Sequence, residues 1–127
     1  MRLRRVLASL LLLCVVAACP GPTGIRTQGR LEIRADGARL HLTNHAARPV
    51  YTFIVERATA ALIDWAPCVD PAKCEGIAPG QERRVPYEQI GGYTRGAREG
   101  IVYWWHLEPG SEGRFQPDSI RAEVVPF

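Results

Sequence analysis

Beyond residue 30 the apolar positions of the chain recur every second residue, the period of a strand with one covered face. Leu31 and Ile33 alternate with Glu32 and Arg34, and Leu40 and Leu42 alternate with His41 and Thr43. Asp36-Gly37 between the two runs is a strong hairpin signal. Asn44 to Pro49 reads as a loop, with Asn and Pro at its ends. Val50 to Arg57 is β-branched and aromatic, and its expected inward set is Tyr51, Phe53 and Val55. Thr59 to Trp65 is ambiguous. Ala60-Ala61-Leu62 can start a helical turn, but Leu62 to Trp65 is read as a short edge strand. Pro79-Gly80 marks a turn, and Arg83 to Tyr87 is a short strand that Pro86 confines to an edge or terminates. Glu88 to Gly100 is rich in glycine and has no period, so it is expected to cross the fold as a long connection. Gly100 to Leu107 is the densest apolar run past the N-terminus. Glu108 to Asp118 is a loop, and Ile120, Ala122 and Val124 alternate through a last strand. About seven short strands with turns at intervals of about ten residues predict an all-β, antiparallel β-sandwich.

Alternation divides the run at 101–107 into two faces. Ile101, Tyr103, Trp105 and Leu107 form one set and are expected to face the core. Val102, Trp104 and His106 form the other, which makes Trp104 and His106 a candidate binding surface, with Trp65 as a further exposed aromatic. Glu99-x-Ile101-x-Tyr103-x-Trp105 resembles the penultimate strand of immunoglobulin-type sandwiches, where an acid, a small apolar residue, a corner Tyr and a core residue alternate. The resemblance implies an immunoglobulin-like sandwich. It departs from the family in placing Trp105 where many members have Cys and Phe53 where the facing strand has Trp.

The N-terminus follows a different logic. Arg2, Arg4 and Arg5 precede an uncharged apolar run, Val6 to Val16, and then Ala17 and Ala18. This is the layout of a secretory signal, and the run is shorter than the roughly 20 residues that span a bilayer. Val16-Ala17-Ala18-Cys19 resembles the lipobox of bacterial lipoproteins. That resemblance implies a helical signal peptide over 1–18, acylation of the Cys19 thiol and a mature chain that begins there. Residues 19–29, rich in Pro and Gly, are expected to form a flexible tether, and 30–127 the sandwich domain. Residue 20 is Pro rather than the Asp that retains lipoproteins at the inner membrane. The expected location is therefore the periplasmic side of the outer membrane in a two-membrane cell. The mature domain also resembles small exported lipoproteins of unassigned role.

Charge and cysteine content narrow the function further. Three of the 16 Lys and Arg lie in residues 1–18 and none of the 13 Asp and Glu, so the remaining chain is balanced. A balanced domain gives no electrostatic case for nucleic acid. With Cys14 in the signal and Cys19 acylated, Cys68 and Cys74 remain, and in an exported protein they are expected to form a disulfide. A zinc site would need two more ligands, which this spacing lacks. His41, His45 and His106 sit on strands and turns where four-residue spacing does not pair ligands, so no metal or cofactor is expected. No serine or thiol has a nucleophilic setting. Glu56, Asp64, Asp70 and Glu75 are candidates for a carboxylate-dependent hydrolase, the least favoured reading. The leading expectation is a lipid-anchored, non-catalytic binding or assembly module of the cell envelope. Its partner would be an envelope protein or polysaccharide. The alternative is a carbohydrate-binding accessory domain that uses Trp104, His106 and Trp65.

Overall fold

The structure is a computed structural model that describes residues 25–28 and 30–127, with 25–28 as backbone alone. The signal segment and Cys19 lie outside the described residues. Ten strands follow in order: β1 (Ile25–Gln28), β2 (Leu31–Ala35), β3 (Arg39–Asn44), β4 (Val50–Glu56), β5 (Gly76–Ile77), β6 (Glu82–Pro86), β7 (Glu99–Trp105), β8 (Leu107–Pro109), β9 (Phe115–Pro117) and β10 (Arg121–Pro126). One helical turn, α1 (Arg57–Ala60), follows β4. Among the described residues the fold is all-β, and every pairing between these strands is antiparallel. β1 falls inside the span read as tether and pairs with β2. Among the described residues no helix is long and apolar enough to cross a membrane.

One four-stranded sheet has the order β1-β2-β3-β6, and a second has the order β10-β7-β4-β5. β8 and β9 form a separate two-stranded hairpin. The alternating residues of β2 and β3 behave as expected: Leu31, Ile33, Leu40 and Leu42 are all fully buried. Asp36 closes the hairpin between them by accepting hydrogen bonds from the amides of Ala38 and Arg39, at 2.9 and 2.8 Å. Gly37 takes the positive φ that this turn requires. β6 ends at Pro86 on the sheet edge, where a missing N–H costs no ladder bond. A single hydrophobic cluster joins these residues to Val50, Ile77, Val102, Trp104 and Val125 of the second sheet.

The second sheet reverses the expected faces. Trp104 lies opposite Thr52 on one side and Arg121 on the other, and Val102 lies opposite Ile54 and Glu123. This face meets the core, so Trp104 is 1% exposed and Val102 fully buried. Tyr51, Phe53, Tyr103 and Trp105, expected inside the core, belong to the opposite face. The same reversal affects the last strand, where Val125 is buried while Val124 and, just before β10, Ile120 are exposed. The cause is that the opposite face is itself partly covered, with Ile101 and Tyr103 half-buried and Trp105 buried. Residues 61–75 fold over it, so both faces of β7 are apolar and hydrophobicity no longer distinguishes them. The edge strand read at Leu62 to Trp65 is part of this covering loop. The regular turn falls earlier, in α1, capped by Glu56 through the amides of Ala58 and Thr59.

Asn44, at the end of β3, ties the sheets together. It is fully buried. Its Nδ2 donates to the carbonyls of Arg48 and Ile77, both at 2.8 Å, and its Oδ1 accepts from the Ala46 amide at 2.8 Å. The loop leaving β3 and strand β5 of the second sheet are therefore fastened to one amide. Asn44→Ala leaves two carbonyls and an amide without partners, which costs about 3 kcal/mol. Urea denaturation is expected to show this loss, and a change below about 0.5 kcal/mol would contradict the clamp.

Candidate functional site

Trp104 and His106, expected on an exposed surface, are both buried, at 1% and 6% exposure. They nevertheless line a cleft of about 330 Å³ together with Arg30, Arg48 and Arg121 and the small residues Ala46 and Ala47. The cleft sits at the end of the core, where the β3–β4 loop, the start of β10 and the end of β7 converge. The Trp104 ring lies beneath it, and His106 packs edge-on against that ring with centroids 5.9 Å apart. The Arg121 guanidinium lies 4.4 Å from the centroid of the Trp104 ring, within cation–π range.

Hydrogen bonding fixes these groups. His106 Nδ1 lies 2.8 Å from the Pro49 carbonyl, which can only accept. The proton is therefore on Nδ1, and Nε2 is the acceptor of the neutral ring. Asp118 organises the opposite wall. Its Oδ1 accepts from the His106 and Ser119 amides at 3.0 and 2.7 Å. Its Oδ2 pairs with Arg48 at 3.2 Å and Arg121 at 3.4 Å. Burial pushes the Asp118 carboxyl up. The Ser119 and His106 amides and the Arg121 guanidinium together outweigh burial and hold its pKa at about 2. Trp104 Nε1–H is buried and has no hydrogen-bond acceptor among the described residues. Such groups are rare and costly, at roughly 1–3 kcal/mol each.

Trp65 lies elsewhere, on the outer face of the second sheet. Half-buried, it stacks on Phe53 at 4.6 Å and packs against Tyr103 at 4.7 Å and Trp105 at 6.0 Å. Cys68 and Cys74 are joined by a disulfide, which staples the covering loop. Trp105 Nε1 donates to the Cys68 carbonyl at 3.1 Å, so the buried ring holds the loop from beneath. Trp65 therefore does not share a site with Trp104 and His106.

The other sequence candidates disperse into local roles. Glu56 caps α1. Asp70 caps its own loop at the Ala72 amide and pairs with Lys73. Glu75 pairs with Arg83, and Asp64 is an exposed loop residue. His41 lies between Asp36 at 2.7 Å and Glu82 at 3.3 Å, and His45 pairs with Glu32 on the surface. Among the described residues no three metal-ligating side chains converge. Comparisons with protein-family models, curated proteins and solved structures find no match.

The arginines of the cleft and Asp118 carry no local motif, since they come from three separate loops or strand ends. Only the register that puts Arg121 opposite Trp104 brings them into view. Because the Asp118 pKa is held below its ordinary value of 3.8, the pairing stabilises the fold fully above about pH 4. That contribution is lost as the pH falls toward about 2. Comparing thermal unfolding of the native chain and Asp118→Asn across this range should show a gap that closes on acidification. A gap that stays constant would contradict this role for Asp118.

Proposed function

We propose that the chain is a lipid-anchored, non-catalytic binding module of the cell envelope, and that the cleft over Trp104 is where it takes its ligand. The observation that carries the binding reading is the cleft itself. Trp104, whose buried indole N–H has no acceptor among the described residues, the His106 imidazole of fixed tautomer and three arginines line one recess. Small-ligand sites combine an apolar floor with a few positioned polar groups in this way. The anchor rests on the lipobox-like Val16-Ala17-Ala18-Cys19, and the exported location also agrees with the disulfide. Pro20 favours the periplasmic side of the outer membrane in a two-membrane cell.

The domain is further proposed to be an immunoglobulin-like sandwich. The strand order supports this. Consecutive strands β3 and β4 lie in different sheets, as do β6 and β7, while β4 pairs with β7 and β7 with β10. This is the interleaving of a Greek key. The one-residue offset in β7 means that Trp104, not Trp105, takes the core position of that strand.

A carbohydrate-binding role has lost its platform at Trp104, whose ring is covered by Arg121 and the core. It keeps one specific support, the half-exposed Trp65 on a stapled loop, since pre-organised aromatics suit sugar faces. Trp65→Ala separates the two readings, because it removes sugar binding and leaves the cleft intact.

Two measurements test the main proposal. Radiolabelled palmitate should enter the native chain and be absent from Cys19→Ser, and label retained in that variant would remove the anchor. A photoreactive residue at Ala47, on the cleft rim, should capture a ligand or partner in intact cells. The same probe at Glu88, away from the cleft, should capture far less, and equal capture at both positions would contradict a site at the cleft.

A further inference from the structure

The chemistry lining the cleft identifies a ligand class; this step rests on the cleft being a binding site. We infer that the cleft over Trp104 binds a small oxyanion group, a carboxylate or a phosphate, carried by the ligand. Arg30, Arg48 and Arg121 bring three guanidinium groups to one recess. Asp118 is the one carboxylate that pairs with any of them among the described residues, and it engages only Arg48 and Arg121. The recess therefore holds a formal excess of two positive charges in a chain whose part beyond residue 18 is balanced overall. Guanidinium groups match the planar or tetrahedral oxygens of carboxylate and phosphate.

A second, independent observation points the same way. Trp104, which lines the cleft, carries an indole N–H that can only donate and that is buried without an acceptor among the described residues. A ligand oxygen that reached it through movement of the surrounding side chains would satisfy it. A cationic or purely donating ligand would leave it unpaired and face the guanidinium charge as well. His106 also lines the cleft, its ring held in place by the bond from Nδ1 to the Pro49 carbonyl. Asp118 keeps Arg48 and Arg121 in place before the ligand arrives, so part of the ordering cost is met in advance. The volume of about 330 Å³ lies at the small end for ligand pockets, so it accommodates a terminal group rather than an extended chain.

The experiment follows the indole N–H signals of the three tryptophans in the full chain, purified in detergent micelles and labelled with 15N at Nε1. Trp104→Phe assigns the signal from the cleft. Inorganic phosphate, acetate and uncharged acetamide are titrated separately against a sodium chloride control of equal ionic strength. The Trp104 signal should shift and saturate with phosphate or acetate, and the Trp65 and Trp105 signals should stay put. Whichever anion saturates at lower concentration names the source, a phosphate ester or a carboxylate. Arg30→Gln, at an exposed position, should raise the midpoint by about fivefold without changing the melting temperature. A Trp104 signal that moves equally with sodium chloride overturns the inference. So does one that responds to acetamide alone, although the cleft then remains a ligand site. If none of the probes moves it, the inference falls, while the binding reading is decided by capture at Ala47.

Discussion

β7 is packed on both faces, and the rest of the fold is arranged around that constraint. On one side Val102 and Trp104 close the core shared by the two sheets. On the other, Trp105 lies 2% exposed beneath a loop stapled by Cys68–Cys74. A strand covered on both faces must be central, and β7 is flanked by β4 and β10 along nearly its whole length. Its glycine at position 100 follows from the same crowding. A Cβ there would lie 2.8 Å from the Phe127 ring, which closes that end of the core. Position 100 is thus held small by packing, not by any turn.

The cleft is a consequence of how the sheet ends. Where β7 stops, its last core-facing ring has no further strand residue above it, and the β3–β4 loop only partly closes the gap. Asn44 holds that loop against the core, which brings Arg48 to the rim. Asp118 holds the other side, receiving the His106 amide and two guanidinium groups. Of these forces the buried amide clamp is the stronger for stability, because its bonds are shielded from water. The paired arginines are partly solvated and contribute more to charge placement than to folding free energy. The site is thus held by neutral hydrogen bonds and tuned by charge.

The first sheet was legible from the sequence because one of its faces meets water. Leu31, Ile33, Leu40 and Leu42 alternate with polar residues, and Asp36-Gly37 marks the turn between them. The second sheet was legible as strands but not as faces. In β4 and β7 the residues on both sides are mostly apolar or aromatic, since residues 61–75 cover the outer side, and in β10 the polar Arg121 and Glu123 lie on the same side as the buried Val125. The longer aliphatic and aromatic set of β7 therefore looked like the core set, and Trp104 looked exposed. The cysteine count pointed to the staple of that loop without revealing what it covers. Arg30, Arg48, Arg121 and Asp118 could not be grouped, because their proximity depends on sheet register and on a buried Asn44 that reads locally as a loop residue.

The side to which each ring of β7 points decides between this arrangement and its opposite. Acrylamide quenching of single-tryptophan variants, each retaining Trp104 or Trp105 with phenylalanine at the other positions, reads that directly. Trp104 should resist quenching whether or not the disulfide is reduced. Trp105 should resist it in the oxidised protein and become accessible once reduction frees the covering loop. Free quenching of Trp104 in the oxidised protein, with Trp105 protected in both states, would contradict the arrangement and return Trp104 to the surface.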